Sequence, residues 1–575
     1  MPTTHRELDH LGWDRLDIIL VTGDSYIDSP YIGAAVIGKV LDRAGYRVGI
    51  IAQPDIHSDS DIRRLGEPRL FWGVTAGSVD SLIANYTSLK KRRKSDDYTP
   101  GGVNDRRPDR ATIVYANLIR QYFKNTRPIV LGGIEASLRR IAHYDFWSNR
   151  VRSSILFDAK ADYLLYGMAE KSVVKFANAL RDGSDVRNTR GLCYIAREDD
   201  MAQIKARYLE LPAYETVEED KSALVEMFHA FYRNNDALTA NGLYQKHGPR
   251  YLVHNPPETC LTQEELDAVY SLDFERAQHP YYERQGKVKA LETIRFSIPT
   301  HRGCYGECNF CAIGVHEGRT VQWRSPKSIT DEVRRLTTYP DFKGYIMDIG
   351  GPTANMYGFE CEKKLRQGAC REKGCLYPEI CPSLKADHRH QLELLREIQR
   401  IEGVKKAFVA SGIRYDLLLS DRKYGRQYLQ EMVEHHVSGQ MKVAPEHTEE
   451  GVLKAMGKPG AALLLQFKEL FDGMTRKAGK KQFLTYYLIA AHPACTEEDM
   501  RSLKRFTSQS LKTNPEQVQI FVPAPSTYSS LMYYTGTDPF SGKPLFVEKD
   551  PVKKEIQKDI VTQKQAPRPL PGKRR

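Results

Sequence analysis

Long apolar runs are absent from this 575-residue chain. None approaches the ~20 residues needed to cross a bilayer as a helix, so no membrane-spanning segment is expected. The opening stretch, MPTTHRELDHLGWDRLD, lacks the charged-then-apolar layout of a secretory signal, and a cytoplasmic location is the expectation that follows. Cysteine is scarce, ten residues in all, and in a reducing compartment such a set does not make a disulfide framework. G-x-G-x-x-G is missing too: in VTGDSYIDSPYIG (21–33) the glycines stand too far apart to cradle a phosphate. Net charge is +12, with basic runs at KKRRK (90–94) and APRPLPGKRR (566–575). A basic chain invites a polyanion, yet these runs carry no interleaved aromatics and no RNA-binding module is recognisable. They read as solvated loops and a tail, and nucleic acid is unsupported as a partner.

What is present is a long, globular composition, 41% hydrophobic and 27% charged, too large for one core and expected to form two or three domains. Residues 1–195 alternate strand and helix. The strand candidates are LDIILVTGD (16–24), the end of YIGAAVIGKVLDRAGYRVGII, RLFWGVTAG (69–77), RPIVLGGIE (127–135) and ADYLLYG (161–167). Such alternation makes a parallel sheet with helices on both faces, a Rossmann-like α/β domain. Residues 90–110 have neither period and read as a long exposed loop. Residues 196–290 read as a connector with a helix near 219–234. Residues 291–540 form a second α/β unit, and 541–575 a basic tail expected to be disordered.

In the second unit six strand candidates recur: 293–299, 344–350, 405–411, 439–444, 483–490 and 517–522. Each is followed by a polar or glycine-rich turn: the loop HRGCYGECNFC, then Gly350-Gly351-Pro352, Ser411-Gly412-Ile413-Arg414, Pro445-Glu446-His447, His492-Pro493, and Pro523-Ala524-Pro525-Ser526. Parallel barrels build their sites from the loops after their strands. Turns after strands are usually polar in any case, so the weight lies in six tails, one of them carrying three thiols.

Seven of the ten cysteines lie between 304 and 381, while Cys193, Cys260 and Cys495 stand alone. Thiolates select zinc, copper(I) or iron–sulfur clusters. A structural zinc takes four ligands, normally as two separated pairs, and a four-iron cluster held wholly by protein takes four cysteines. Cys304, Cys308 and Cys311, spaced C-x3-C-x2-C, supply three. They would leave one iron of such a cluster without a protein ligand; a zinc site borrowing a distant fourth ligand is the other reading. Gly303 and Gly306 allow close backbone approach, and Phe310 is placed to screen the site from water.

This loop, with an aromatic before its last cysteine and a strand before it, resembles the signature of the radical S-adenosylmethionine superfamily. Further stretches, LVHNPP (252–257), HPYYE (279–283), VASGIRYDL (409–417), KVAPEHT (442–448) and QIFVPAPSTYSSLMYYTG (519–536), are similar to its YgiQ-type family over about residues 15 to 560. The resemblance implies a Rossmann-like, cobalamin-binding-like domain followed by a partial (β/α)6 barrel. It also implies a [4Fe-4S] cluster on Cys304, Cys308 and Cys311, S-adenosylmethionine on the open iron, an electron donor such as flavodoxin or ferredoxin, and a substrate it does not specify. Gly350 and Gly351 stand where the superfamily has Gly-Gly-Glu, which binds the cofactor's amino group; here the third residue is Pro352. By the same analogy Ser411, Arg414 and Glu446 face the ribose, carboxylate or sulfonium.

Cys361, Cys370, Cys375 and Cys381 follow directly, in CEKKLRQGACREKGCLYPEIC (361–381). Four thiols satisfy zinc or an auxiliary cluster, and the third reading is four unliganded thiols. The first domain resembles cobalamin-binding domains in RPIVLGGIEAS (127–137) and ADYLLYGMAEKSV (161–173) but has no D-x-H-x-x-G, and His143 reads as an ordinary satisfied or exposed residue. A cobalamin-dependent radical methyltransferase and, outside enzymes, a zinc-stapled basic RNA-binding protein are the alternatives.

Overall fold

The computed structural model describes residues 1–371 and 374–563. Its first unit is built on a nine-stranded sheet. The strands run spatially in the order 209–211, 243–247, 250–254, 192–197, 163–165, 129–131, 71–75, 18–22, 48–52. The last five in that order are mutually parallel, and the sheet turns antiparallel where 163–165 meets 192–197. Side chains that alternate along a strand point to opposite faces. Ile18 and Leu20 accordingly pack in one core with the helices Gly33–Arg43 and Glu170–Arg181, while Ile19 and Val21 pack in another with Ala111–Tyr122 and Ile155–Ala159.

The sheet does not stop at residue 195. Three strands from the expected connector, 209–211, 243–247 and 250–254, join it through the antiparallel pairing of 250–254 with 192–197, and the expected helix is Lys221–Arg233. A 196–290 connector is therefore corrected: Leu243, Tyr244, Tyr251, Leu252 and Val253 are core residues. The 90–110 loop is also more than an exposed excursion. Residues 90–95 are exposed, but Asp96, Thr99, Asn104 and Arg107 are buried. Arg107 pairs with Asp24 at 2.9 Å and Asp96 at 3.0 Å across the carboxyl ends of strands 18–22 and 71–75.

The second unit is a run of short parallel strands, Ser297–Pro299, Tyr345–Ile346 with Asp348–Gly350, Lys406–Ala407, Gln440–Glu446, Phe483–Ala490 and Gln519–Ile520. Each pairs with the next: Ile298 with Ile349, Ile346 with Ala407, Ile413 with Val443 by a single bridge, Met441 with Leu484, and Ile489 with Gln519. Among the described residues no backbone pairing joins the sixth strand to the first, so this is an open, partial (β/α)6 barrel. Its first strand is shorter than expected, because Leu291–Ile294 closes a helical turn. Helices Pro326–Thr337, Arg389–Gln399 and Ala461–Lys477 cover its outside.

The disordered tail expected from 541 is corrected as well. Pro551–Thr562 is a helix, capped by Asp550, whose carboxylate accepts from the backbone N–H of Val552 and Lys553. It buries Lys554, Gln557 and Val561. Gln557 Oε1 accepts from Ala491 N at 2.9 Å. Residues 564–575, with most of the basic stretch, lie outside the described residues.

The two units meet tip to tip. Arg302, entering the cysteine loop, pairs with Glu170 at 2.5 Å, and both are buried. His316 Nδ1 lies 3.0 Å from Ser137 Oγ, and Ser526 Oγ donates to Leu138 O at 2.8 Å.

Candidate functional site

The cysteine loop leaves the first barrel strand through a positive-φ turn at Gly303 (φ 81°), where a Cβ would lie 2.2 Å from Thr320 O; only glycine fits there. The loop then folds so that Cys304, Cys308 and Cys311 line one small cavity together with Asn309, Thr527 and Tyr528. Burial pushes the Cys304 and Cys311 thiols up, reinforced by the neighbouring Cys308. For Cys304 this is opposed by the Gly306 N–H, Thr353 and Arg414. Glu307, between the first two cysteines, takes a positive φ of 45° and is held by Arg319 at 2.9 Å.

The other five strand tails arrive at this loop. From the second, Thr353 Oγ1 stands 3.6 Å from the Cys304 sulfur. From the third, Arg414 Nη1 donates to the Cys308 sulfur at 3.6 Å, while its Nε and Nη2 clamp Asp416 at 2.9 and 2.5 Å. Burial opposes the Arg414 charge, but Asp416 outweighs it and holds the guanidinium protonated. From the fourth, Glu446 is buried at φ 66°. Burial raises its carboxyl above the usual range, against Lys458 and Arg414. From the fifth, His492 meets Phe310 edge-on at 6.2 Å and accepts or donates at 2.7 Å with Ser529. From the sixth comes Thr527 on the cavity wall.

Gly350 and Gly351 sit at the second tail, next to the loop. A Cβ at Gly350 would come within 2.8 Å of Ser411 Oγ, and one at Gly351 within 2.6 Å of the His301 ring and 2.8 Å of its carbonyl. Their smallness lets the turn lie against the loop. Ser411 is engaged by Asp348, which takes both its N–H and its hydroxyl. Sequence reasoning passed over Thr353, Asp416, Lys458 and Glu307. Asp416 was legible as the acid two residues after Arg414 in GIRYDL; the others carry no spacing signal.

The insertion is only partly gathered. Cys361, Cys375 and Cys381 share an apolar cluster with Cys304, Tyr305 and Leu376, whereas Cys370 is exposed. Among the described residues no three His, Cys, Asp or Glu side chains converge on a position for a single metal ion; residues 372 and 373 lie outside them. Cys495 is buried 3.6 Å from His447 Nε2, away from the loop. His143 is buried, its Nδ1 bonded to Ile141 O at 2.9 Å and its Nε2 without a hydrogen-bond partner. Burial lowers its pKa to about 3.

A second, mainly apolar cavity of about 320 Å³ lies at the carboxyl edge of the nine-stranded sheet, walled by Phe71, Val130, Leu165 and helix Gly33–Arg43 and closed at one end by His316 and Glu317.

Over 565 residues the chain is 55% identical to the UPF0313 protein FN0734 of Fusobacterium nucleatum, covering 98% of this chain and 99% of that one. The chain belongs to the UPF0313 family. A UPF0313 protein of Thermotoga maritima is 46% identical over 568 residues, with 98% and 99% covered. Residues 1–297 of this UPF0313 chain match the family model described as Radical SAM N-terminal, and the protein is a radical S-adenosylmethionine enzyme. A solved structure of the radical S-adenosylmethionine methyltransferase TsrM from Kitasatospora setae, with cobalamin and a [4Fe-4S] cluster bound, aligns at 15% identity and a TM-score of 0.46, covering 88% of this chain and 71% of that one. A likeness of that size carries no ligand over to the UPF0313 chain. Family membership sets aside the zinc-stapled RNA-binding alternative.

Such enzymes use a [4Fe-4S] cluster and S-adenosylmethionine, and the loop suits a cluster rather than one ion. Its donors are three thiols around a shared cavity, not converged on a point. Between them Gly306 keeps free a space in which a Cβ would lie 3.2 Å from the Cys304 sulfur and 3.3 Å from Arg414 Nη1.

Proposed function

We propose that Cys304, Cys308 and Cys311 hold three irons of the cluster and that the turn at Gly350–Gly351 helps hold S-adenosylmethionine at the fourth. Bound there and reduced, such a cluster would supply the electron for reductive cleavage of S-adenosylmethionine, giving methionine and a radical able to take hydrogen from the substrate. The observation that carries this reading is the arrival of all six strand tails at one three-thiol loop.

The chain's own residues then have definite tasks. Arg414, fixed by Asp416, sets a positive charge 3.6 Å from the Cys308 sulfur. The Gly306 N–H, 3.3 Å from the Cys304 sulfur, opposes the larger effect of burial on that thiol. Glu446 and Lys458 place a buried acid and base opposite the loop, suited to the ammonium and carboxylate of an amino acid moiety. Phe310 and His492 exclude water from the Cys311 side. Cofactor chemistry of this kind leaves the protein to bind, orient and shield. The compartment the reading calls for is a reducing cytoplasm; no helix among the described residues is long and apolar enough to cross a membrane.

Anaerobic reconstitution with iron and sulfide, followed by reduction with S-adenosylmethionine present, tests it. Wild type is expected to form 5′-deoxyadenosine and to bind about four irons per loop. Cys304→Ala, Cys308→Ala and Cys311→Ala should lose product formation, and Cys495→Ala should keep it. Full turnover by any of the first three would refute the assignment. The cobalamin-dependent alternative needs a macrocycle outside the carboxyl edge of the sheet. There Arg302–Glu170 and His316–Ser137 join the units beside the apolar cavity of about 320 Å³; unchanged optical spectra on adding cobalamin would favour the first reading.

A further inference from the structure

The basic run 90–94 and the lysines of the C-terminal segment took no part in the site. Folding brings them together. Residues 87–91 close a tight turn, in which Thr87 N–H donates to Lys91 O at 2.8 Å and Lys90 N–H to Thr87 O at 2.9 Å. This turn carries Lys90 to the start of helix Pro551–Thr562. Lys90 lies 4.6 Å over the Phe146 ring. Lys554 lies 5.4 Å over the same ring and 4.7 Å over Tyr533, and Lys549 stands 5.8 Å over Tyr533. The two rings meet edge-on at 5.8 Å, so three ammonium groups crowd one aromatic pair. These five side chains and Pro551 line a cavity of about 240 Å³. Lys90 and Lys549 stand exposed at its rim.

Within the chain these cations have no matching negative charge. Lys554 is only 3% exposed, yet its Nζ donates to the neutral Tyr533 hydroxyl at 2.8 Å, and Lys90 donates to Trp147 O at 3.3 Å. Among the described residues none of the three lysines lies within ion-pair distance of a carboxylate. The neighbouring acids are engaged elsewhere. The buried Glu548 accepts from Asp550 N–H at 2.9 Å, and Asp550 caps the helix. Glu555 takes Lys91 at 3.6 Å, and Asp145 takes Arg110 at 2.7 Å. Burial lowers the Lys554 pKa to about 8; Glu548 opposes the shift, and Lys90 and Lys549 add to it. The ring faces offset part of the cost of gathering these charges, but a buried cation is ordinarily paired. Phosphate suits the arrangement, because one compact oxyanion of more than one charge accepts from several ammonium groups at once. A single carboxylate would leave part of the charge unmatched.

We propose that this cavity binds a phosphate group, free or as the monoester end of a small molecule, between Lys90, Lys549 and Lys554. The helix that carries Lys554 also serves the barrel: Gln557, one turn on, bonds the backbone of Ala491 and Cys495 at 2.9 and 3.2 Å. Occupation of the cavity is therefore expected to steady the helix against the fifth strand. No residue of the cysteine loop takes part, so the site stands or falls independently of the radical reading.

The test uses the full reconstituted chain in a zwitterionic buffer, with inorganic phosphate, adenosine 5′-monophosphate and adenosine as probes. Calorimetry should show binding of phosphate, of the monophosphate or of both at millimolar concentration, and none of adenosine. The double variant Lys90→Ser/Lys549→Ser, at exposed positions, should weaken that binding about tenfold or more, and Lys554→Met should do the same. In hydrogen exchange the bound anion should slow residues 551–562 of wild type and leave those of the double variant unchanged. Monophosphate binding at least as tightly as phosphate gives the site to an ester, and phosphate binding more tightly gives it to the free ion; both uphold the proposal. Failure of either anion to bind overturns it, as does undiminished affinity in the double variant. So does adenosine binding as tightly as its monophosphate. Affinity for oligouridylate, lost in the double variant while neither small anion binds, would give the face to RNA and overturn it as well.

Discussion

The two sets of strand tips that face each other across this molecule are finished in opposite ways. On the nine-stranded sheet the tips beside the apolar cavity are closed by the chain's own charges: Arg107 is fully buried between Asp24 and Asp96, and Arg139 is buried against Asp80. On the barrel the tips present three thiols with only sparse, long contacts, from Gly306 and Thr353 to Cys304 and from Arg414 to Cys308, and a buried Glu446 whose carboxyl burial raises. Buried charge is costly unless paired, so the first set spends its polar groups on structure. The second leaves them available for something brought from outside. The same location in two α/β units has become a plug in one and a socket in the other.

Substitutions can break that contrast, and the largest effect is expected on the sealed side. Arg107→Ala strands two aspartates without their cation and should cost about 3–5 kcal/mol, read as a lower urea midpoint; an unchanged midpoint would mean the 94–107 segment is not held by this ion network. On the open side Asp416→Asn removes the carboxylate that fixes Arg414. It should cost about 1.5–3 kcal/mol, with a loss of 5′-deoxyadenosine formation that Arg107→Ala does not show once corrected for folded fraction. Gly351→Ala drives a Cβ against His301 and its carbonyl. A cost of about 1–3 kcal/mol is expected, with product formation reduced more than stability, since the turn carries Thr353 to Cys304. Thr353→Val removes one hydroxyl beside sulfur and should change stability by less than about 1 kcal/mol. A complete loss of product in that variant would show the hydroxyl to be part of the reaction and not of the packing.

Much of this architecture was legible because apolar periodicity and strand-tail chemistry are local. Ile18 to Thr22 read as a strand buried on both faces, and the six barrel tails could be located before any of them was seen to converge. Where reading failed, the signal was not local. Arg107 looked like one more charge in a basic loop, and only the approach of Asp24 and Asp96 makes it a core residue. The helix Pro551–Thr562 escaped notice for a sharper reason: it turns Val552 and Ile556, 65% and 41% exposed, to solvent and buries Lys554 and Gln557. A search for an apolar stripe finds the wrong face of it. Strands 243–247 and 250–254 were lost because an antiparallel extension of a parallel sheet breaks the alternation that announced the rest.

That last helix has a consequence for how the protein is made. Gln557 accepts from the buried Ala491 N–H and donates to Cys495 O at 3.2 Å, so it completes the turn between the fifth strand and the helix that follows. Until residues near 557 have left the ribosome, the backbone beside His492 lacks its partner, and the wall behind the thiol loop stays unfinished. Loading of iron and sulfide is thereby expected to wait until Gln557 has emerged and docked.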